Sequence, residues 1–134
     1  MTHLEAARTH IMWFGSYTQK GEFKKVQVWC ILRDGCVEFL TDGNSLKVKR
    51  ARRNPQVICY LGSEDGPKVE GTAEILQSAD AIAYGVRAYW KAHPLRMLIV
   101  NLFIRQRIKR GEQVLVRVKP TEPNPFAGVT ERVV

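Results

Sequence analysis

The sequence has few of the residue patterns that mark metal, thiol or hydrolytic chemistry. Cysteine occurs three times, at Cys30, Cys36 and Cys59, with no C-x-x-C pair and an odd count. A disulfide framework or zinc site is therefore not expected, and each cysteine reads as a small buried hydrophobe in a strand. Histidine also occurs three times, at His3, His10 and His93. None lies in a patterned segment, and the carboxylates show no paired spacing of the kind hydrolases use. No catalytic acid or base is assigned, and no metal is expected. The opening MTHLEAARTH lacks the apolar stretch of a secretory signal. The longest apolar stretch, Leu95 to Ile108, is interrupted by Arg96, Asn101 and Arg105 and is too short to span a bilayer. A cytoplasmic protein without a membrane partner is the expectation.

Acidic residues are also scarce. Asp and Glu total 13 against 21 Lys and Arg, a formal net charge of +8. That excess suits a phosphate-bearing partner without saying which kind. With 134 residues and 45% hydrophobic content the chain reads as one domain, 1–134. It is too short for a doubly wound dinucleotide fold or an eightfold β/α barrel. It has no internal repeats and no low-complexity stretch.

Leu4 to His10 predicts a short helix capped by Thr2. Strands are expected over Met12–Thr18, Phe23–Leu32, Cys36–Thr41, Val57–Leu61, Lys68–Leu76 and Gln113–Lys119, from their aliphatic and alternating character. Asp34-Gly35 is a hairpin signal. Ala79–Lys91 and Leu95–Lys109 have helical spacing. The last segment, 120–134, is rich in proline and reads as an extended tail. Tight turns between strands require antiparallel pairing. The order predicts a mainly β protein, a small antiparallel barrel whose gap is covered by a helical insert.

The segment TDGNSLKVKRARRNP, Thr41 to Pro55, concentrates the basic charge. Asn44 or Ser45 can cap a helix here, and the start of a helix favours an anion. Lys47 projects from the first turn and Arg50 follows three residues on. A hydroxyl, a helix start and two cations within one turn suit a terminal phosphate. A solvated basic helix capped by Ser45 fits the same residues.

Several segments recur in the order of a known family. They are VQVW at 26–29, the hairpin, Thr41 with Ser45 and Lys47, the NP at 54–55, and VEGTAEIL at 69–76. Together they resemble the pyridoxamine 5'-phosphate oxidase-like FMN-binding split β-barrel family. KVKRARRNP, EGTA and the segment from Ala88 to Pro120, AYWKAHPLRMLIVNLFIRQRIKRGEQVLVRVKP, are similar to its flavin/deazaflavin (F420)-dependent oxidoreductase branch. The resemblance implies a six- or seven-stranded antiparallel split β-barrel and a homodimer with cofactor sites at the interface. It implies FMN or coenzyme F420 as cofactor, with Lys47 on the phosphate, flanked by Ser45 and Arg50. Thr41 would lie near the ribityl phosphate end, and Gln27, Val28 and Trp29 would line the ring. Family members often carry Thr-Pro-Val-Trp where this chain has Val26, Gln27, Val28 and Trp29.

The implied activity is hydride transfer between flavin or deazaflavin and a small electron-poor acceptor. A non-catalytic carrier or sensor on the same barrel is one alternative. A basic β-barrel binding nucleic acid is another. It is less favoured, because the positive charge falls in two helical clusters, the second being Arg105, Arg107, Lys109 and Arg110.

Overall fold

The computed structural model describes residues 2–92 and 113–126. The expected helix over 95–109, and with it the second basic cluster, lies outside the described residues. The elements run α1 (His3–Ala7), β1 (Ile11–Tyr17), β2 (Phe23–Trp29), β3 (Ile31–Arg33), β4 (Cys36–Asp42), α2 (Leu46–Arg53), β5 (Gln56–Leu61), β6 (Lys68–Leu76), α3 (Ala79–Ala92) and β7 (Gln113–Pro120).

Local chemistry sets most boundaries. Thr2 Oγ1 accepts from the Glu5 amide at 3.1 Å, and the Glu5 carboxylate accepts from the Thr2 amide at 3.3 Å. This reciprocal capping box starts α1, and the bonds to Thr2 hold the Glu5 carboxyl below its usual range. The helix is shorter than expected: it ends at Ala7, the Thr9 and His10 amides close tighter turns on Ala6 and Ala7, and His10 at φ 59° leads into β1 at Ile11. Asp34 and Gly35, at φ 51° and 77°, make the expected two-residue turn between Arg33 and Cys36. Both central residues of such a turn need positive φ, and Asp-Gly supplies it cheaply.

One expected strand divides. Phe23–Leu32 is two strands separated at Cys30, not one. The Cys30 amide donates to the His10 carbonyl at 2.9 Å, and His10 Nδ1 donates back to the Cys30 carbonyl at 3.1 Å. His10 is buried at this break, a structural position for a ring that sequence spacing left without a role.

All seven strands join one antiparallel sheet in the order β2-β1-β5-β6-β7-β4-β3. β2 and β3 are therefore opposite edges of the sheet, yet only Cys30 separates them in the chain. The sheet must curl until its edges nearly meet. Phe14 of β1 and Phe39 of β4, on strands that are not neighbours, accordingly pack with ring centroids 4.8 Å apart. The result is a split β-barrel. Its interior is filled by Met12, Phe14, Phe39, Val57, Leu61 and Val116, all buried. Burying each such side chain stabilises by roughly 1.5–3 kcal/mol.

Cys30, Cys36 and Cys59 are free and buried, as read from the sequence. Burial pushes the Cys30 thiol up to about 12, which keeps it protonated and inert. Beyond β7, Asn124 Nδ2 donates to the Gly35 carbonyl at 3.0 Å and Phe126 is buried in the core. The first part of the proline-rich segment thus packs back on the β3–β4 hairpin. No helix among the described residues is long and apolar enough to cross a membrane.

Candidate functional site

The split leaves a gap between β2 and β4, which touch across it without pairing in the sheet. An open cleft of about 280 Å³ sits there, lined by Gln27, Val28, Trp29, Leu40, Thr41 and Lys47. β2 contributes the first three, β4 the next two, and the first turn of α2 the lysine. Five of the seven residues singled out from sequence therefore share one cleft. The alternation of β2 explains part of this. Val28 pairs with Met12, whose side chain is in the core, while Gln27 pairs with half-exposed Trp13. Leu40 was missed, because an apolar strand residue beside Phe39 reads as core. Its only signal is its place next to Thr41 at the end of β4.

Ser45 and Arg50 do not line the cleft. Ser45 is the residue before α2, in extended conformation at ψ 157°. Asn44 and Ser45 were the two candidate caps; Ser45 takes the position, and its hydroxyl makes no side-chain capping bond. Asp42 has taken over the local loop chemistry. Its Oδ1 accepts from the Asn44 amide at 2.8 Å and its carbonyl from the Ser45 amide at 3.1 Å. Ser45 Oγ is left buried with no hydrogen-bond partner. An unpartnered buried hydroxyl costs about 1–3 kcal/mol, so its persistence needs a reason. It lies at the positive end of the α2 dipole, two residues from Lys47, where an anion is favoured. Arg50 is half-buried one turn further along α2, and no acid occurs in that helix. A hydroxyl, a helix start and a lysine beside an open cleft fit a phosphate group.

A second polar cluster lies further along β4, at Glu38. Glu38 is completely buried, with Arg33 Nη2 at 3.1 Å and Arg117 Nε at 3.7 Å from its Oε2. Burial pushes its carboxyl up, against the pull of Arg33 and Arg117. Arg33 also stacks on Tyr84 of α3, at 4.4 Å from the ring centre. This cluster ties α3 to the sheet. A larger hollow of about 390 Å³ is lined by His3, Lys68, Glu70 and Glu122 among others. Its charges are mixed, and His3 is spent on the Lys68 carbonyl at 2.9 Å, so it carries no preference for an anion.

No family model and no curated protein matches the chain. Solved structures do. The chain is similar to the conserved hypothetical protein Rv2991 from Mycobacterium tuberculosis, at 20% identity and TM-score 0.70, over 91% of this chain and 82% of that one. It is similar to an F420 reductase at 16% identity and TM-score 0.60, over 90% and 93% of the two chains. It is also similar to HutZ, the heme storage protein from Vibrio cholerae, at 10% identity and TM-score 0.67, over 91% and 92%. The fold is thus the split β-barrel of the pyridoxamine-phosphate-oxidase-like proteins. Proteins sharing it take different cofactors, so what this chain binds has to be argued from its own cleft.

Proposed function

We propose that the cleft binds the phosphate-bearing arm of FMN or coenzyme F420, and that the chain acts as a homodimeric oxidoreductase. The reaction would be hydride transfer between the cofactor and a small electron-poor acceptor. The observation that carries this reading is the meeting of Gln27, Val28, Trp29, Thr41 and Lys47 in one cleft, beside the unpartnered Ser45 hydroxyl. Lys47 would meet the phosphate as a charge, with Ser45 Oγ donating to it and Arg50 adding long-range attraction. Thr41 would orient the arm. Trp29 and the backbone of Gln27 and Val28 would offer an apolar wall to the ring. The bound group supplies the redox chemistry, and the chain supplies position and a partly dry wall. The acceptor and the second subunit would close the open side.

The heme chemistry of one structural neighbour fits these residues less well. Haem iron is held by His, Cys, Met or Tyr, and none of the six cleft residues is one of these. The test is a titration of the purified protein with FMN, F420 and hemin, followed by absorbance and fluorescence. Saturable binding of FMN or F420, with reoxidation of the reduced form by a quinone-like acceptor, supports the proposal. Binding without turnover would point to a carrier. Binding of hemin alone would overturn the assignment.

A further inference from the structure

α2 has a face that the cleft does not use. Val48 and Ala51 are its buried residues, so the opposite side looks outward. At 100° per residue that outward stripe is centred on Leu46 and Arg53, with Lys49 on one side and the half-buried Arg50 on the other, while Arg52 lies further round toward Val48. Leu46, Lys49, Arg52 and Arg53 are exposed. Leu46 is 64% exposed, and no other large hydrophobic side chain among the described residues is this open. The helix LKVKRARR has no acidic residue, and Lys49, Arg52 and Arg53 join no ion pair among the described residues. Like charges three and four residues apart, as in Lys49 with Arg52 and Arg53, repel and weaken a helix. An exposed leucine set among cations that no acid among the described residues compensates is out of keeping with a merely solvated surface.

We infer that this face of α2 docks on an anionic lipid surface. The cations would approach the headgroups while Leu46 enters the interfacial layer, the division of labour of an amphipathic helix lying on a membrane. Two other occupants fit less well. A nucleic acid would use the cations but offers an exposed leucine on a helix no stacking partner. A second copy packed through this same face would set Lys49, Arg52 and Arg53 against their own equivalents. Expecting no membrane partner from the absence of a spanning segment concerns insertion, and surface docking needs no span. The contact uses none of the residues that line the cleft, and its test variants leave Lys47 and Arg50 in place, so it is tested apart from the cofactor proposal.

The experiment is flotation of the full-length protein with phosphatidylcholine vesicles, pure or with about one-third phosphatidylglycerol, at low and at high salt. Binding to the charged vesicles alone, lost at high salt, is expected. Each cation contributes about a fivefold gain near such a surface, so Lys49→Glu with Arg52→Glu and Arg53→Glu should lower partitioning by about a hundredfold or more. Leu46→Ser, which leaves charge unchanged, should lower it several-fold. If the triple variant does not fold by circular dichroism, Arg53→Glu alone should still give about a fivefold loss. The inference is overturned if the charged vesicles do not bind, or if Leu46→Ser binds them as well as the native chain. It is equally overturned if Leu46→Ser changes the oligomeric state in gel filtration, or if an oligonucleotide binds the same residues more tightly than the vesicles do.

Discussion

β4 carries two polar environments within a few residues, and each holds a buried oxygen without a partner. One is Glu38 Oε1, the other, just past the strand, Ser45 Oγ. Their surroundings differ in kind. Glu38 is sealed in, and its second oxygen gathers guanidiniums from β3 and β7, so the chain balances the charge internally. Ser45 stands at the start of an acid-free helix near an open cleft, with no hydrogen-bond partner for its hydroxyl among the described residues. The same defect therefore sits in a structural clasp in one place and, on the proposed reading, beside a ligand site in the other. The surrounding charge and openness decide between them.

Substitutions can break this contrast or sharpen it. The largest effect is expected for Glu38→Ala, which strands Arg33 and Arg117 and opens a small void. Because the two guanidiniums are partly exposed, the loss should be about 2–3 kcal/mol, below that of a fully buried pair. Chemical denaturation measures it, and cofactor affinity should stay unchanged. Lys47→Ala should do the reverse. Loss of a charge-assisted contact to phosphate lowers affinity by about tenfold or more, while stability should move by less than about 0.5 kcal/mol.

The pH dependence is a third way to separate the two regions. The folded state holds the Glu38 proton more tightly than the unfolded chain does, whose carboxyl titrates near 4.5. The stability this contributes is complete below 4.5 and is lost as pH rises through the higher folded value. Glu38→Gln should flatten that fall in melting temperature across mildly acidic pH, whereas Ser45→Ala should leave the slope alone. Ser45→Ala is also the smallest predicted change in stability. An N-cap serine normally loses about 1 kcal/mol on replacement by alanine, but this one makes no cap bond. The melting temperature should hold or rise slightly, and phosphate-arm affinity should fall only a few-fold.

Much of the barrel was legible because its signals are local. Asp34-Gly35 names its own turn, Thr2 and Glu5 form a capping box three residues apart, and Lys68–Leu76 alternates as a strand should. Of the cleft residues, Lys47 stood out from its place at the start of a basic helix, whereas Gln27, Val28, Trp29 and Thr41 were indicated only by the family resemblance. What could not be read depends on contacts distant in sequence. The break at Cys30 is made by the backbone and ring of His10, in the turn before β1. Glu38 looks like a polar strand residue facing solvent. Its burial needs Arg117, brought alongside by the β4–β7 register, and Tyr84 of α3 to hold Arg33 in place. Ser45 carries a cap residue's identity without its bond, because Asp42 satisfies the loop first.

The central claim is that the cleft, and not the clasp at Glu38, is the cofactor site. Parallel titrations of the native chain, Lys47→Ala and Glu38→Gln with whichever of FMN or F420 binds would test it most directly. The expected result is an affinity loss of about tenfold or more for Lys47→Ala and no more than about twofold for Glu38→Gln. Equal losses in both variants, or none in Lys47→Ala, would contradict the account.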